Sequence, residues 1–472
     1  MSHTPPPEPP DQPQGPGEGQ EPFGMQPNVP QPVFDPNAPN QLKPKLRPVR
    51  GFATKHQEKV YLGISDAQQI SDKVVFTVPA AQVILPMMDG QRSIDQIVEE
   101  VGRGLTRGML EQLVAQLDEA GLIEGPKFDI MLAKLHEEFD SASHLPPGAT
   151  AQFADALVAH EIGKDATSEQ KAEQGPEKLK RQFDKWIDEA LKDVQDPSFD
   201  ELPRAIVAPH LDYGRGWLNY AHVYGRLRVV YKPDRIVILG TNHFGSGTGV
   251  CGCDKSMETP LGVSPLDTEL FEKLKTALGP EDSEKLLKDR YDHEREHSVE
   301  LHIAWVQHVF GKRENGGHIP IFAALVHDPS RNNGDSYDGQ GLGLLPFVEA
   351  MKKALGELPG RTLIVSSADL SHAGPQFGDP KPLAGEGEEP EAIRNKIVQH
   401  DREMLELFAS GKPEELVASM AWQQNPTRWC SVGNMVAACK IVEPADVRML
   451  NYAATMDQKG MGMVSSCAAA IF

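Results

Sequence analysis

Residues 235–243 read RIVILGTNH. The stretch Arg235–Gly240 is a short apolar run without polar alternation, which fits a strand buried on both faces of a parallel sheet. It stops at a polar triplet, Thr241-Asn242-His243. The same pattern recurs on either side: Ala205–Ala208 is followed by Pro209-His210, and Thr362–Val365 by SSADLSH at residues 366–372. Ile319–Val326 and Val447–Ala454 read as further strands of this kind. Between them, Ser264–Leu278 and Ser298–Phe310 carry helical spacing. Strand–helix alternation predicts an α/β domain, with a mainly parallel sheet covered on both faces, over residues 201–472.

In open α/β sheets, ligands bind outside the carboxyl ends of the strands. Three strands therefore deliver His210, His243 and the pair Asp369/His372 to one sheet edge. A lone histidine after a strand is usually a cap or a satisfied core group. Three in one structural role point to a transition metal, for which neutral imidazole is a favoured ligand. At residues 296–302, EHSVELH opens an amphipathic helix and places Glu296, His297 and Glu300 within a turn of one another. These groups read as ligands, as a proton shuttle, or as orienters of a ligating histidine. Arg428-Trp429-Cys430 precedes another helix, a setting that favours a thiolate. Cys430 thus reads as a ligand or a nucleophile. Cys439 and Cys467 read as core residues, and Cys251-Gly252-Cys253 as strand-edge packing, because no second pair completes a zinc site.

One competing motif is His293-x-x-Glu296-His297, the inverted zinc-peptidase pattern. It requires both histidines on one helix. The apolar stripe begins only at Val299, so the helix is expected to start too late.

The remainder of the chain is organised differently. Residues 1–50 hold 15 of the 39 prolines and are expected to form a disordered, partly polyproline leader. Residues 51–125 read as a small domain with short strands at Lys73–Val78 and Val83–Leu85. A helix is expected after Ser93, and a second after Thr106, ending at Gly121. Residues 126–200 read as a helical linker packed on the following domain. The net charge is −21, from 47 basic and 68 acidic residues, a field that repels a phosphate backbone and argues against nucleic-acid binding. No apolar run approaches membrane-spanning length. No secretory signal opens the chain, and the five cysteines are too sparse for a disulfide scaffold. A cytoplasmic protein with no membrane partner is expected.

The strings VAPHLDY, ILGTNHFG, EHSVELH, SSADLSH and RWCSVG stand in the order and spacing of the Memo family, which includes AmmeMemoRadiSam system protein B. The chain from Pro203 to Phe472 resembles that family. The resemblance implies an extradiol-dioxygenase-like α/β fold and a non-haem iron or copper site, with zinc as a further candidate. By position, His210, His243 and Cys430 match the family's metal ligands. Asp369 and His372, with His297 and Glu300, match further site positions. The resemblance also implies a radical-SAM enzyme and an Ammecr-type protein as partners. Residues 51–125 are similar to the small PqqD-like winged-helix modules that often bind peptides.

This chain departs from the family pattern at Leu211-Asp212, Leu370 and Ser431. Asp212 places an extra carboxylate beside the site, as a further ligand or base. The expected function is a metal-dependent redox protein. A non-enzymatic peptide- or protein-binding module, an extradiol-type dioxygenase and a zinc peptidase are the alternatives. A thiolate in the third ligand position is unlike the two-histidine, one-carboxylate set of extradiol dioxygenases, so the fold likeness does not bring the reaction with it.

Overall fold

Four strands form the parallel heart of the larger unit: β1 (Ala205–Ala208), β2 (Arg235–Gly240), β4 (Ile321–Leu325) and β5 (Thr362–Ser367). Nearly every residue in them is buried, which explains their unbroken apolar reading. Antiparallel strands flank them: β3 (Cys251–Gly252) beside β4, and β8 (Met463–Ile471) beside β1. β6 (Asp369–Ala373) and β7 (Val447–Met456) both pair with β8. The order across the sheet is β6-β8-β1-β5-β2-β4-β3, with β7 on the remaining edge of β8. The fold is thus mixed α/β, parallel at its centre and antiparallel at its margins.

This computed structural model describes residues 31–56, 59–102, 104–163 and 165–472. They fall into two compact units that meet in sequence between Ala142 and Ser143.

In the larger unit, α1 (Ala149–Ile162) and α2 (Ser168–Leu191) precede the sheet. They are followed by α3 (Tyr213–Tyr224), α4 (Thr268–Lys288), α5 (His297–Phe310), α6 (Leu344–Gly356), α7 (Glu388–Ala409), α8 (Pro413–Gln423) and α9 (Val432–Val442). Leu270 of α4, Phe347 of α6 and Val436 of α9 share one core with Val207, Leu239, Phe322 and Ile364 of the strands. Ile206, Ile238 and Val365 alternate to the other face and are equally buried. α3 and α5 touch these same strands. Between those helices lies an aromatic stack: the Phe183 ring of α2 lies 3.9 Å from Trp305, which also stacks on Tyr220 and Tyr224. The expected linker, residues 126–200, is thus divided: from Ser143 onward it contributes core to the α/β unit, while Pro126–Ser141 belongs to the smaller unit.

Several elements differ from expectation. Val447–Met456 is not buried on both faces; it pairs only with β8 and is largely half-exposed. Its partner β8 is wholly buried yet escaped notice, because serines and alanines carry little strand signal. The strand expected over Thr362–Val365 continues to Ser367 and is followed by a further strand, Asp369–Ala373. Helix α4 runs past Leu278 but breaks at Gly279, which takes φ 77° before Pro280.

The smaller unit contains an antiparallel hairpin, Val49–His56 with Lys59–Asp66, extended by Val75–Thr77. Val83–Leu85 is not a strand; Pro79–Val83 and Leu85–Met87 are 3-10 turns, as the prolines at their starts favour. Ile94–Val101 begins with a reciprocal capping box between Ser93 and Gln96. Arg107–Glu119 is capped by Thr106, and Gly121 takes φ 67° beyond its end. Pro126–Ser141 is a third helix. Residues 1–30 of the expected leader lie outside the described residues. Its later part is held in place: Arg47 is buried and pairs with Asp66 at 3.0 Å, and Gln41 donates to Asp118 at 2.8 Å. Those polar contacts supply what the apolar-poor leader composition did not suggest.

Candidate metal centre

His210 follows β1 by two residues and His243 follows β2 by three, at the carboxyl edge of the parallel core. Their ring centroids lie 4.9 Å apart, nearly perpendicular. Cys430 reaches the same point from the chain entering α9, with Sγ 3.2 Å from His210 Nε2. Among the described residues, His210, His243 and Cys430 form one group whose ligand atoms all lie within 4.8 Å of one another. His243, Glu296 and His297 form a second group, which shares His243.

The surrounding bonds fix which ring nitrogens face inward. His210 Nδ1–H donates to the Ser367 carbonyl at 3.1 Å and to Ser367 Oγ at 3.0 Å. That leaves Nε2, towards Cys430, as the lone-pair nitrogen. His243 Nδ1–H donates to Glu296 Oε1 at 3.0 Å, and its backbone N–H to Oε2 at 2.7 Å. An acceptor on the far nitrogen is the arrangement metal-ligating histidines use.

The local sequence explains the placement. Glu296 is the N-cap of α5, where its carboxylate also accepts the Ser298 N–H at 2.9 Å. Ser298 bonds both the N–H and the carbonyl of Thr241, tying the end of β2 to this helix start. Asn434 of α9 donates to Ser367 O at 2.6 Å and Thr241 Oγ1 at 3.1 Å. Thr241 Oγ1 in turn donates to the Cys430 carbonyl at 3.1 Å. One amide on the Cys430 helix therefore ties the His243 segment to Ser367, the residue that holds the His210 ring.

Electrostatics separate the groups. Burial, followed by the charge of the neighbouring His243 and His297, pushes His210 well below the usual imidazole range. Its 3.7 Å approach to Asp369 is therefore not an ion pair. Burial opposes charge on His243 too, but the Glu296 carboxylate and Cys430 outweigh it and raise this imidazole. Burial likewise would lift Glu296, yet His243 and His297 hold it down at about 2. Burial raises Asp369 to about 7, against N–H bonds from His210 and Leu211. Burial and the His243 charge lower His372 to about 4.

His372 lies on β6, outside both groups, and its Nδ1–H donates to the carbonyls of Leu370 and Arg428 at 3.0 and 3.1 Å. Asp369 does not hold it; that carboxylate accepts the His210 N–H at 3.1 Å. His297 has Nδ1 3.3 Å from Glu296 and its ring 4.9 Å from His243. Glu300 is not brought to the site; it accepts N–H bonds from Gly148 and Thr150 at the start of α1. Asp212 caps α3 through the Arg215 N–H at 3.1 Å and joins neither group. His293 and His297 fall on separate elements, the 3-10 turn Arg290–Glu294 and α5. His293 Nε2 is bonded to Cys251 O, so the peptidase geometry does not form. Burial pushes the Cys253 and Cys439 thiols up to about 12 and raises Cys251 and Cys467 as well. Ser367 and Asn434 went unread in the sequence; the one signal was a polar pair, Ser366-Ser367, ending an apolar strand.

Fold and site together define a mixed α/β protein with a candidate His/His/Cys metal centre at its strand ends. Residues 170–471 match the family model described as Memo-like protein, and the chain belongs to that family. It is 24% identical to a MEMO1 family protein of Aquifex aeolicus over 393 residues, covering 82% of this chain and 87% of that one. A MEMO1 family protein of Thermus thermophilus is 26% identical over 345 residues, 72% of this chain and 87% of the relative. One from Methanopyrus kandleri is 25% identical over 294 residues, 60% and 89% of the two chains. No helix among the described residues is long and apolar enough to cross a membrane.

Proposed function

We propose that the α/β unit is a metal-dependent redox protein holding one iron or copper ion on His210, His243 and Cys430. The observation that carries this reading is the convergence of His210 Nε2, a ring nitrogen of His243 and Cys430 Sγ, with both histidine Nδ1 atoms already donating elsewhere. Two imidazoles and a thiol suit a borderline or soft transition metal better than a hard cation. A bound iron or copper would supply one-electron redox chemistry and Lewis acidity.

The chain's own residues supply the rest. Ser367 and Glu296 fix the histidine tautomers. Asp369, with its carboxyl near neutrality, can hold or release a proton at Oδ2, within 3.7 Å of His210 Nε2. His372 stays neutral at pH 7, with its Nδ1–H engaged by the Leu370 and Arg428 carbonyls. His210 and Asp369 are buried, while His243 and Cys430 are half-buried, so a small molecule enters on their side.

Metal analysis of anaerobically purified protein tests this, together with oxygen uptake on catechols and related reductants. Near-stoichiometric iron or copper is expected, lost in His210→Ala and Cys430→Ser. Absence of metal, or equal metal in His210→Ala, would sink the reading.

A further inference from the structure

Asp401 of α7 is fully buried, and all four of its side-chain partners are neutral donors. Oδ1 accepts from Trp429 Nε1 at 2.7 Å and Ser371 Oγ at 2.5 Å. Oδ2 accepts from Tyr452 OH at 2.7 Å and Ser465 Oγ at 2.5 Å. A carboxylate in such a place is tolerated only with its lone pairs satisfied, and here each oxygen has two donors.

Two of those donors adjoin site residues from different segments. Trp429 immediately precedes Cys430, and Ser371 immediately precedes His372. Ser465 accepts the Ser371 N–H at 2.9 Å, so the His372 strand is gripped twice. Trp429 is also clamped at its backbone, where Asn425 bonds both its N–H and its carbonyl at 2.8 Å. Asn425 thus anchors the main chain of Trp429, and Asp401 sets the direction of its indole.

We propose that Asp401 is a positioning residue of the centre: by holding Trp429 and Ser371 on one oxygen, it sets the approach of Cys430 Sγ to His210 and fixes His372 beside it. It touches no ligand atom itself. Asp401→Asn keeps the shape but replaces one acceptor oxygen with a donor, so two of the four donors lose their acceptor.

The test uses the full chain and two readouts. The first is Co(II) affinity, with the intensity of the thiolate-to-cobalt absorption; it rests on the metal reading above. The second is the rate of Cys430 alkylation by iodoacetamide in metal-free protein at one fixed pH, read by peptide mass spectrometry, which does not. Asp401→Asn is expected to bind Co(II) roughly tenfold more weakly, the low end of what losing a group bonded directly to a ligand costs, with a weakened thiolate band. Its Cys430 is expected to alkylate several-fold faster. The control is Asp267→Asn, which breaks a buried pair with Arg235 at the far end of β2 (3.1 Å) and should lower thermal stability while leaving both readouts unchanged. If wild type takes up no Co(II), the metal reading fails and alkylation alone decides the role of Asp401. Unchanged readouts in Asp401→Asn, or equal changes in Asp267→Asn at matched stability loss, overturn the proposal. If Asp401→Asn does not fold, Trp429→Phe, which removes the indole donor while keeping a ring in place, carries both readouts to the same criteria.

Discussion

Glu296 does three things with one carboxylate: it caps α5, accepts the His243 N–H and accepts the His243 ring proton. Glu296→Gln keeps the shape but removes the charge, and metal affinity should fall ~10–100-fold in competition with a chromophoric chelator. His302 gives a separate prediction about pH. Burial lowers it to about 3 in the fold, against 6.5 for the free side chain, and its Nε2 has no partner among the described residues. The fold thus favours neutral imidazole. This contribution is fully present above pH 6.5 and is lost as pH falls towards 3, because the unfolded chain binds the proton first. Each unit of that difference is worth about 1.4 kcal/mol. Urea unfolding at stepped pH should show the fall, and His302→Gln should flatten it. At this scale the sequence was readable wherever a residue type announces its chemistry: His210 and His243 after strands, Cys430 before a helix. Ser367 and Asn434 were not, since serine and asparagine act here through direction and distance, which only the closed fold supplies. Glu300 misled for the converse reason. Its spacing from Glu296 was right, but the turn of α5 aims it at the start of α1.

Helix α9 brings Cys430 to the site by running against the end of β4. Gly433 makes this approach feasible: a Cβ there would stand 2.0 Å from the His327 carbonyl oxygen. Gly433→Ala should force the helix away, costing about 1–3 kcal/mol in denaturant titrations and weakening metal retention. Asp212→Ala should behave differently. Losing the cap of α3 should cost about 1 kcal/mol and leave bound metal unchanged; a loss of metal would restore Asp212 as a ligand candidate. The parallel strands β1, β2 and β5 were legible because burial on both faces leaves an unbroken apolar run. Strands β6 and β8 were not, because polar and small residues fill them and their strand character comes from pairing, β6 with β8 and β8 with β1, β6 and β7.

The molecule gathers its centre from segments far apart in the chain, with 220 positions between His210 and Cys430. A metal held there needs the ends of β1 and β2 and the start of α9 brought together, so it should bind the folded state selectively. At a free concentration of 100 times Kd the gain is about 2.7 kcal/mol. Differential scanning fluorimetry with and without metal should show this rise, and His210→Ala should abolish it. The mixed character of the sheet belongs to this scale too: strand–helix alternation announced the parallel core, while the antiparallel margins depend on which strands meet at the end of folding.

Strand β8 has a consequence for how the protein is made. It comes last in the chain among the eight strands of its sheet, yet it lies inside that sheet, between β7 on one edge and β1 and β6 on the other. A nascent chain that has released β1 through β7 still lacks the strand that β1, β6 and β7 pair with, and leaves those three edges open while it waits. Among the described residues β8 is the one strand that β6 and β7 pair with, so translation must deliver β8 before either of them can join the sheet.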